Sequence, residues 1–318
     1  MPVSLSRFKT AAKQYDPGEL EMHLKSDTNS PASDERIVSY WKLSKPVTGG
    51  RWYNIYRAKP KSLGAESPCD YVVKMINPHL RTNLLQHALD RLGREAIATE
   101  QIVHNNVIRL LDAELDRAPF FLVQPWMPGS SFDRFQSAVK QTTLNRLVWV
   151  ARQVAEAIHA GHEKGRVHLG IDPSHVLLGR TGRVTMIGWS QSHPVGELAW
   201  LPHDRVQMAM YTAPECFQTS YRADFSSDVY SLGALIYKSL CRRAPFEGQS
   251  VKAIAEAATK SMTVDLMIKQ PACPPALYRL VRKMLDRNPA KRPTMRSALE
   301  SLIAIEIEHL CDPTMIAL

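Results

Sequence analysis

The chain is 318 residues long, with 44% hydrophobic, 22% charged and 8% aromatic positions, proportions that exclude a disordered, collagen-like or membrane-embedded chain. That length suits two lobes or one large domain, with enough material for a buried core. The formal net charge is +9, but the basic residues are scattered rather than packed into one run, so the surface reads as solvated and nucleic acid is disfavoured as a partner.

In chain order, residues 1–35 form a polar arm. Its first 13 residues lack the apolar centre of a secretory signal. Helical spacing is visible over 5–15, and a loop-like stretch at 26–34 closes the arm. Aromatic and β-branched residues over 37–47 and 53–58, with glycines between them, predict a hairpin. An insertion over 59–70 precedes a third strand at 71–76, a helix at 83–103, and strands at 107–115 and 120–126. Helices then dominate: 144–164, 226–240, 251–258, 275–285 and 295–307, with short strands at 176–178 and 184–187 and an irregular segment up to 214. The expected domains are the arm at 1–35, a β-rich lobe at 36–125, a helical lobe at 126–310 and a tail at 311–318. The two lobes are joined near 124–129.

The longest apolar run near a helix centre, 232–236, falls far short of the ~20 residues that cross a bilayer, so no membrane span is expected. Five cysteines, an odd number with no C-x-x-C pair, argue against a disulfide scaffold or zinc site. They favour a reducing compartment, hence a cytoplasmic location.

Several motifs carry a specific resemblance. Ser227-Asp-Val-Tyr-Ser-Leu-Gly233, Ala213-Pro-Glu215 and Arg287-Asn-Pro-Ala-Lys-Arg-Pro293 occur in order and at suggestive intervals. Together with the β-then-α layout they resemble the eukaryotic-like protein kinase family, particularly its bacterial Ser/Thr branch, over residues 37–307. The resemblance implies an α+β, two-lobed fold: a small antiparallel sheet with one helix, then a larger helical lobe. It implies a structural pairing of Glu215 with Arg292, and a structural Asp228. It also implies that Lys74 is the strand lysine that meets nucleotide phosphates, with Glu95 as its helix partner. Gly50, Ile55, Val72, Pro125, Met127 and Leu177 would complete a nucleotide pocket.

At the chemical centre the chain departs from that pattern. Active kinases carry H-R-D-L-K-P-x-N on the catalytic loop; here it reads His168-Leu-Gly-Ile-Asp-Pro-Ser-His175. Gly170 replaces the aspartate base, a group contributing roughly 10²–10⁴-fold in rate. Asp172 replaces a lysine that steadies the transferred phosphate, and His175 replaces a metal-binding asparagine. Gly188-Trp-Ser190 stands where D-F-G supplies a magnesium carboxylate, and phosphoryl transfer depends on that charge neutralisation. No metal ligand is assigned. His168 reads as a core residue packed on Trp189 and supported by Asp228, with Trp189 as an enlarged hydrophobic plug.

Nucleotide binding is in doubt on separate grounds. Of the loop glycines that would align with Thr48, Gly50 and Tyr53, only the second remains, and a tyrosine keeps phosphate from the backbone. Val72 adds two methyl groups where alanine usually lies over adenine, an overpacking of typically ~1–3 kcal/mol. Ser192 lies on the segment corresponding to the activation loop, but Leu169 stands where an arginine would receive its phosphate.

The expectation is therefore a pseudokinase, an interaction or scaffold module that needs a protein partner and no cofactor. Metal-free ATP binding stays open. The alternative is an unconventional ATP-dependent transferase using Lys74 and a relocated acid such as Asp172; a nucleic-acid module built on the arm at 7–25 ranks last.

Overall fold

The structure is a computed structural model that describes residues 36–139, 142–199, 201, 206–260 and 273–310. The expected arm helix at 5–15, the arm itself and the tail at 311–318 lie outside the described residues. The chain divides into two compact units, the first ending at Val103 and resuming over Ile108–Met127, the second comprising His104–Val107 and the residues from Pro128 onward.

The first unit is a six-stranded antiparallel sheet with one helix. Its strands are β1 (Arg36–Val38), β2 (Trp41–Gly49), β3 (Tyr53–Pro60), β4 (Tyr71–Ile76), β5 (Asp112–Glu114) and β6 (Phe121–Pro125), in the spatial order β1-β2-β3-β4-β6-β5. Helix α1 (Thr82–Gln101) lies between β4 and β5 in sequence. Alternation along the strands sends side chains to two faces. One face buries Val38, Leu43, Ala58, Val73, Met75, Phe121 and Val123. The other places Ile76 and Leu122 against Leu85, Ala88, Leu89 and Leu92 of α1. Those α1 residues recur at three- and four-residue spacing, which gives the helix one apolar stripe.

Two strands differ from the sequence expectation. The run 37–47 is split between β1 and β2, because Ser39 adopts a left-handed conformation (φ 56°) and turns the chain so that Val38 pairs with Trp41. No glycine marks that turn. The strand expected over 107–115 shortens to β5, because Asn106 and Val107 join the second unit: the Asn106 carbonyl accepts the Met186 N–H at 2.7 Å, and Val107 bridges Met186.

The second unit opens with β7 (Gly129–Ser131) and the short helix α2 (Phe132–Ala138), followed by α3 (Leu144–Glu163). Thr143 caps α3 by accepting the Arg146 N–H, and a stripe from Leu147 to Ile158 is buried. Then come β8 (Arg166–Val167), β9 (Val176–Gly179), β10 (Val184–Met186) and β11 (His193–Pro194), paired as β10-β9-β7 and β11-β8. The remaining helices are α4 (Val206–Ala209), α5 (Phe225–Cys241), α6 (Val251–Lys260), α7 (Pro275–Met284) and α8 (Met295–Leu310). Asp224 caps α5, whose residues from Ser227 to Tyr237 are all buried; α3, α7 and α8 pack on it. The two-lobed kinase-like α+β fold is thus present. The expected irregular segment before 214 contains β11 and α4, too short for periodicity to reveal.

Candidate functional site

In the first unit, strand pairing sets Lys74 opposite Ile55 and Leu122, on the face that α1 covers. Glu95 sits on the buried stripe of α1. Lys74 Nζ reaches Glu95 Oε2 at 2.5 Å, and the two side chains are only 12% and 2% exposed. The sequence alone does not decide whether the two meet; the fold brings them together. A further contact was not anticipated: the Tyr53 ring lies 4.4 Å from the same ammonium. The Tyr53 hydroxyl donates to the Ala88 carbonyl at 2.9 Å, and burial pushes its pKa up.

The glycine turn is closed upon itself. Gly50 N–H donates to the Tyr53 carbonyl at 2.9 Å, and the Gly50 carbonyl accepts from Asn77 Nδ2 at 2.8 Å. Val72 is half-buried and pairs with Gln124, whose buried amide nitrogen has no hydrogen-bond partner among the described residues. Pro125 and Met127 are half-buried at the end of β6. Arg57, opposite Val72, stacks 4.5 Å from the Trp126 ring and donates to the Cys69 carbonyl at 2.8 Å.

In the second unit, Asp228 is fully buried and organises the loop after β8. Its carboxylate accepts the His168 N–H at 2.8 Å, the Leu169 N–H at 2.9 Å and His162 Nε2 at 2.9 Å. Three donors match one charge, so the buried carboxylate is satisfied. His162 was not singled out from sequence; nothing in its local pattern marks it. Leu169 is held left-handed (φ 57°), with its N–H on Asp228.

His168 is fully buried with its ring centroid 4.4 Å from that of Trp189. Its Nδ1 accepts the Gly170 N–H at 3.1 Å, which leaves Nε2 as the donor to the Ile187 carbonyl at 3.2 Å. Both ring nitrogens are committed. Burial brings the imidazole down to about 4, against the opposing pull of Asp228, so it is neutral near pH 7. Trp189 fits because Gly161 of α3 has no side chain: a Cβ there would lie 2.7 Å from the indole ring.

The positions Gly170, Asp172, His175 and Gly188 come together in one cluster. His175 Nδ1 donates to the Gly170 carbonyl at 2.7 Å and lies 3.2 Å from Asp172 Oδ2. Asp172 caps the turn Pro173–His175, accepting the Ser174 N–H at 2.7 Å and the Ser174 hydroxyl at 2.5 Å. Burial acts to raise the Asp172 carboxyl, but His175 and Ser174 outweigh it and hold the group well below the usual carboxylate range.

Gly188 is left-handed (φ 78°), and a Cβ on it would fall 2.4 Å from His175 Cδ2. The imidazole fills the space where a side chain would begin. Gly170 differs: a Cβ there would meet His168 and Gln191 only at ordinary contact distances of 3.5–3.7 Å. A magnesium site of the kinase type does not fit these residues. The Gly188 position cannot project a carboxylate past His175, and both oxygens of Asp172 are engaged within its own loop. Among the described residues no three His, Cys, Asp or Glu side chains gather to hold a metal.

Leu177 lies on β9, half-buried and opposite Thr185 and Ser131. Ser192 is fully buried and Thr212 donates to the Met208 carbonyl at 3.0 Å. Arg292 grips Glu215 with two bonds of 2.6 and 2.9 Å, and its other donors reach the carbonyls of Asp286, Ser226 and Arg287. Among the described residues no helix is long and apolar enough to cross a membrane.

Residues 60–302 match the family model described as "Protein kinase domain". Similar proteins include the serine/threonine-protein kinase ULK3 of Xenopus laevis, 26% identical over 273 residues, covering 84% of this chain and 56% of that protein. Aurora kinase B of Danio rerio is 23% identical over 303 residues, 89% of this chain and 88% of that protein. A probable serine/threonine-protein kinase PknB of Lactococcus lactis is 21% identical over 255 residues, 80% of this chain and 40% of that protein. The chain thus spans about half the length of the first of these relatives.

Proposed function

Because the chain belongs to the protein kinase domain family, we propose that it keeps the family's framework without its reaction: a pseudokinase that works as an interaction or scaffold module for a protein partner, with no required cofactor. The observation that carries this reading is the Gly188–His175 contact. The position from which kinases present a magnesium carboxylate is a left-handed glycine with an imidazole against it. Gly170 removes the base, and Asp172 adds a negative charge, which is repulsive toward phosphates. Phosphoryl transfer has little covalent work for the protein beyond positioning and charge neutralisation. Losing both groups removes its main terms.

One observation favours a second reading. The Lys74–Glu95 pair is formed at 2.5 Å, an arrangement that active kinases need, and it supports metal-free nucleotide binding or an unconventional ATP-dependent transfer using Lys74 and a relocated acid such as Asp172. A thermal-shift titration with ATP, in chelator and in magnesium or manganese, separates the two. The expected result is no metal-dependent stabilisation at millimolar ATP. Saturation of a real site at a hundred times its Kd would add about 2.7 kcal/mol. Metal-dependent stabilisation with turnover abolished by Lys74→Ala would overturn the inert reading.

A further inference from the structure

Tyr53 packs against the apolar cluster of α1 and interacts with Arg91, and three more of its contacts bear on Lys74 and the glycine turn. It stands on β3, at the place where the family pattern would put the third glycine of the loop. Its ring faces the Lys74 ammonium at 4.4 Å, its hydroxyl is anchored to the Ala88 carbonyl of α1, and its own carbonyl holds the Gly50 N–H. Helix α1 also carries Glu95, whose carboxylate meets the same ammonium at 2.5 Å. Between carboxylate and ring, the lysine side chain is 12% exposed.

We propose that Tyr53 is a built-in latch on Lys74, occupying the side from which a polyphosphate anion would reach the ammonium, so that such an anion gains the lysine only when the tyrosine swings out. This inference rests on the reading of the chain as an inert kinase-like module and adds the reason that its lysine is unavailable. The face of an aromatic ring is electronegative, so it attracts an ammonium and repels an anion seeking the same place. Glycine at this position would offer neither a ring nor an obstacle. The turn contributes in the same sense, because the Gly50 N–H, the kind of donor that cradles phosphates, is already bonded to Tyr53.

The test uses the full chain, inorganic tripolyphosphate as the probe, and a chelator to remove metal, with binding read by calorimetry. Tyr53→Ala is expected to bind tripolyphosphate about tenfold or more tightly than the parent protein. Tyr53→Phe keeps the ring and is expected to stay within about threefold of the parent. Adding Lys74→Met to Tyr53→Ala should abolish the gain. Tyr53→Val, a good strand former without a π face, guards against misfolding of the alanine variant. In it, acylation of Lys74 by an amine-reactive reagent, followed by mass spectrometry against the exposed Lys45, should accelerate about fivefold or more.

The latch is overturned if the alanine and valine variants bind no more tightly than the parent, if phenylalanine opens the site as far as alanine, or if the gain survives Lys74→Met. Phosphate transfer by the parent protein would overturn the inert reading instead. An absence of both transfer and gain would remove the latch alone.

Discussion

Two regions of the second unit treat charge in opposite ways. Around Glu215, Asp228 and Arg292, every buried charge has its partner and its full set of hydrogen bonds. Arg292 directs its donors to Glu215 and to three carbonyls, and Asp228 serves three donors. Around Gly170, Asp172, His175 and Gly188, side chains are missing or turned on one another. Asp172 and His175 satisfy each other, and His175 covers Gly188. The first region holds helices together and would serve any kinase-like fold. In the second, the charged groups are turned inward on one another: both oxygens of Asp172 are engaged by Ser174 and His175.

The largest effect that could break this contrast is removal of a framework charge. Arg292→Met strands the Glu215 carboxylate, and losing one partner of a buried pair costs about 3–5 kcal/mol; urea denaturation should show that loss or outright unfolding. An effect near one measurement error would mean the framework is not what stabilises this unit.

Acid comes next. The unfolded imidazole of His168 titrates near 6.5 and the folded one near about 4. As pH falls through that window the unfolded chain takes up a proton that the folded chain refuses, so stability is fully present above 6.5 and lost on the way to 4. The depression is worth about 3 kcal/mol at most. His168→Gln should flatten the pH dependence of the denaturation midpoint between pH 7 and 4.5.

Gly161→Ala follows. In an open helix this change stabilises by up to about 1 kcal/mol, but here the new Cβ meets a buried indole at 2.7 Å. Overpacking of typically about 1–3 kcal/mol should win, giving a lower melting temperature.

The two vacated glycines sharpen the comparison. Gly188→Ala is expected to destabilise by about 1–3 kcal/mol, and His175→Ala in the same chain should recover part of that, a non-additivity that a double-mutant cycle reads. Gly170→Ala should stay within about 0.5 kcal/mol of the parent, an ordinary small change. Equal effects at the two glycines would deny that His175 is a specific filler.

The motif residues are legible in the sequence. Glu215, Asp228 and Arg292 stand in local signatures whose resemblance to the kinase family implies the pairing, and the same resemblance singles out Lys74 and Glu95 without showing that the two meet. Helix α3 was legible because its apolar residues repeat at helical spacing. The split of β1 from β2 was not, since a two-residue turn at Ser39 and Tyr40 carries no glycine or proline. The roles of His162 and Gly161 were hidden as well. Each depends on a partner far along the chain, Asp228 in one case and Trp189 in the other, and no local pattern encodes such a distance.

That positions 170 and 188 carry no side-chain group is written in the residue types alone, because a glycine has no side chain wherever the fold puts it. What fills the vacated space is a property of packing. His175 could have faced solvent and Tyr53 could have lain over any neighbour; the turn after β8 aims one at Gly188, and the register of β3 against β4 sets the other over Lys74. Both outcomes follow from close-packing across elements distant in sequence.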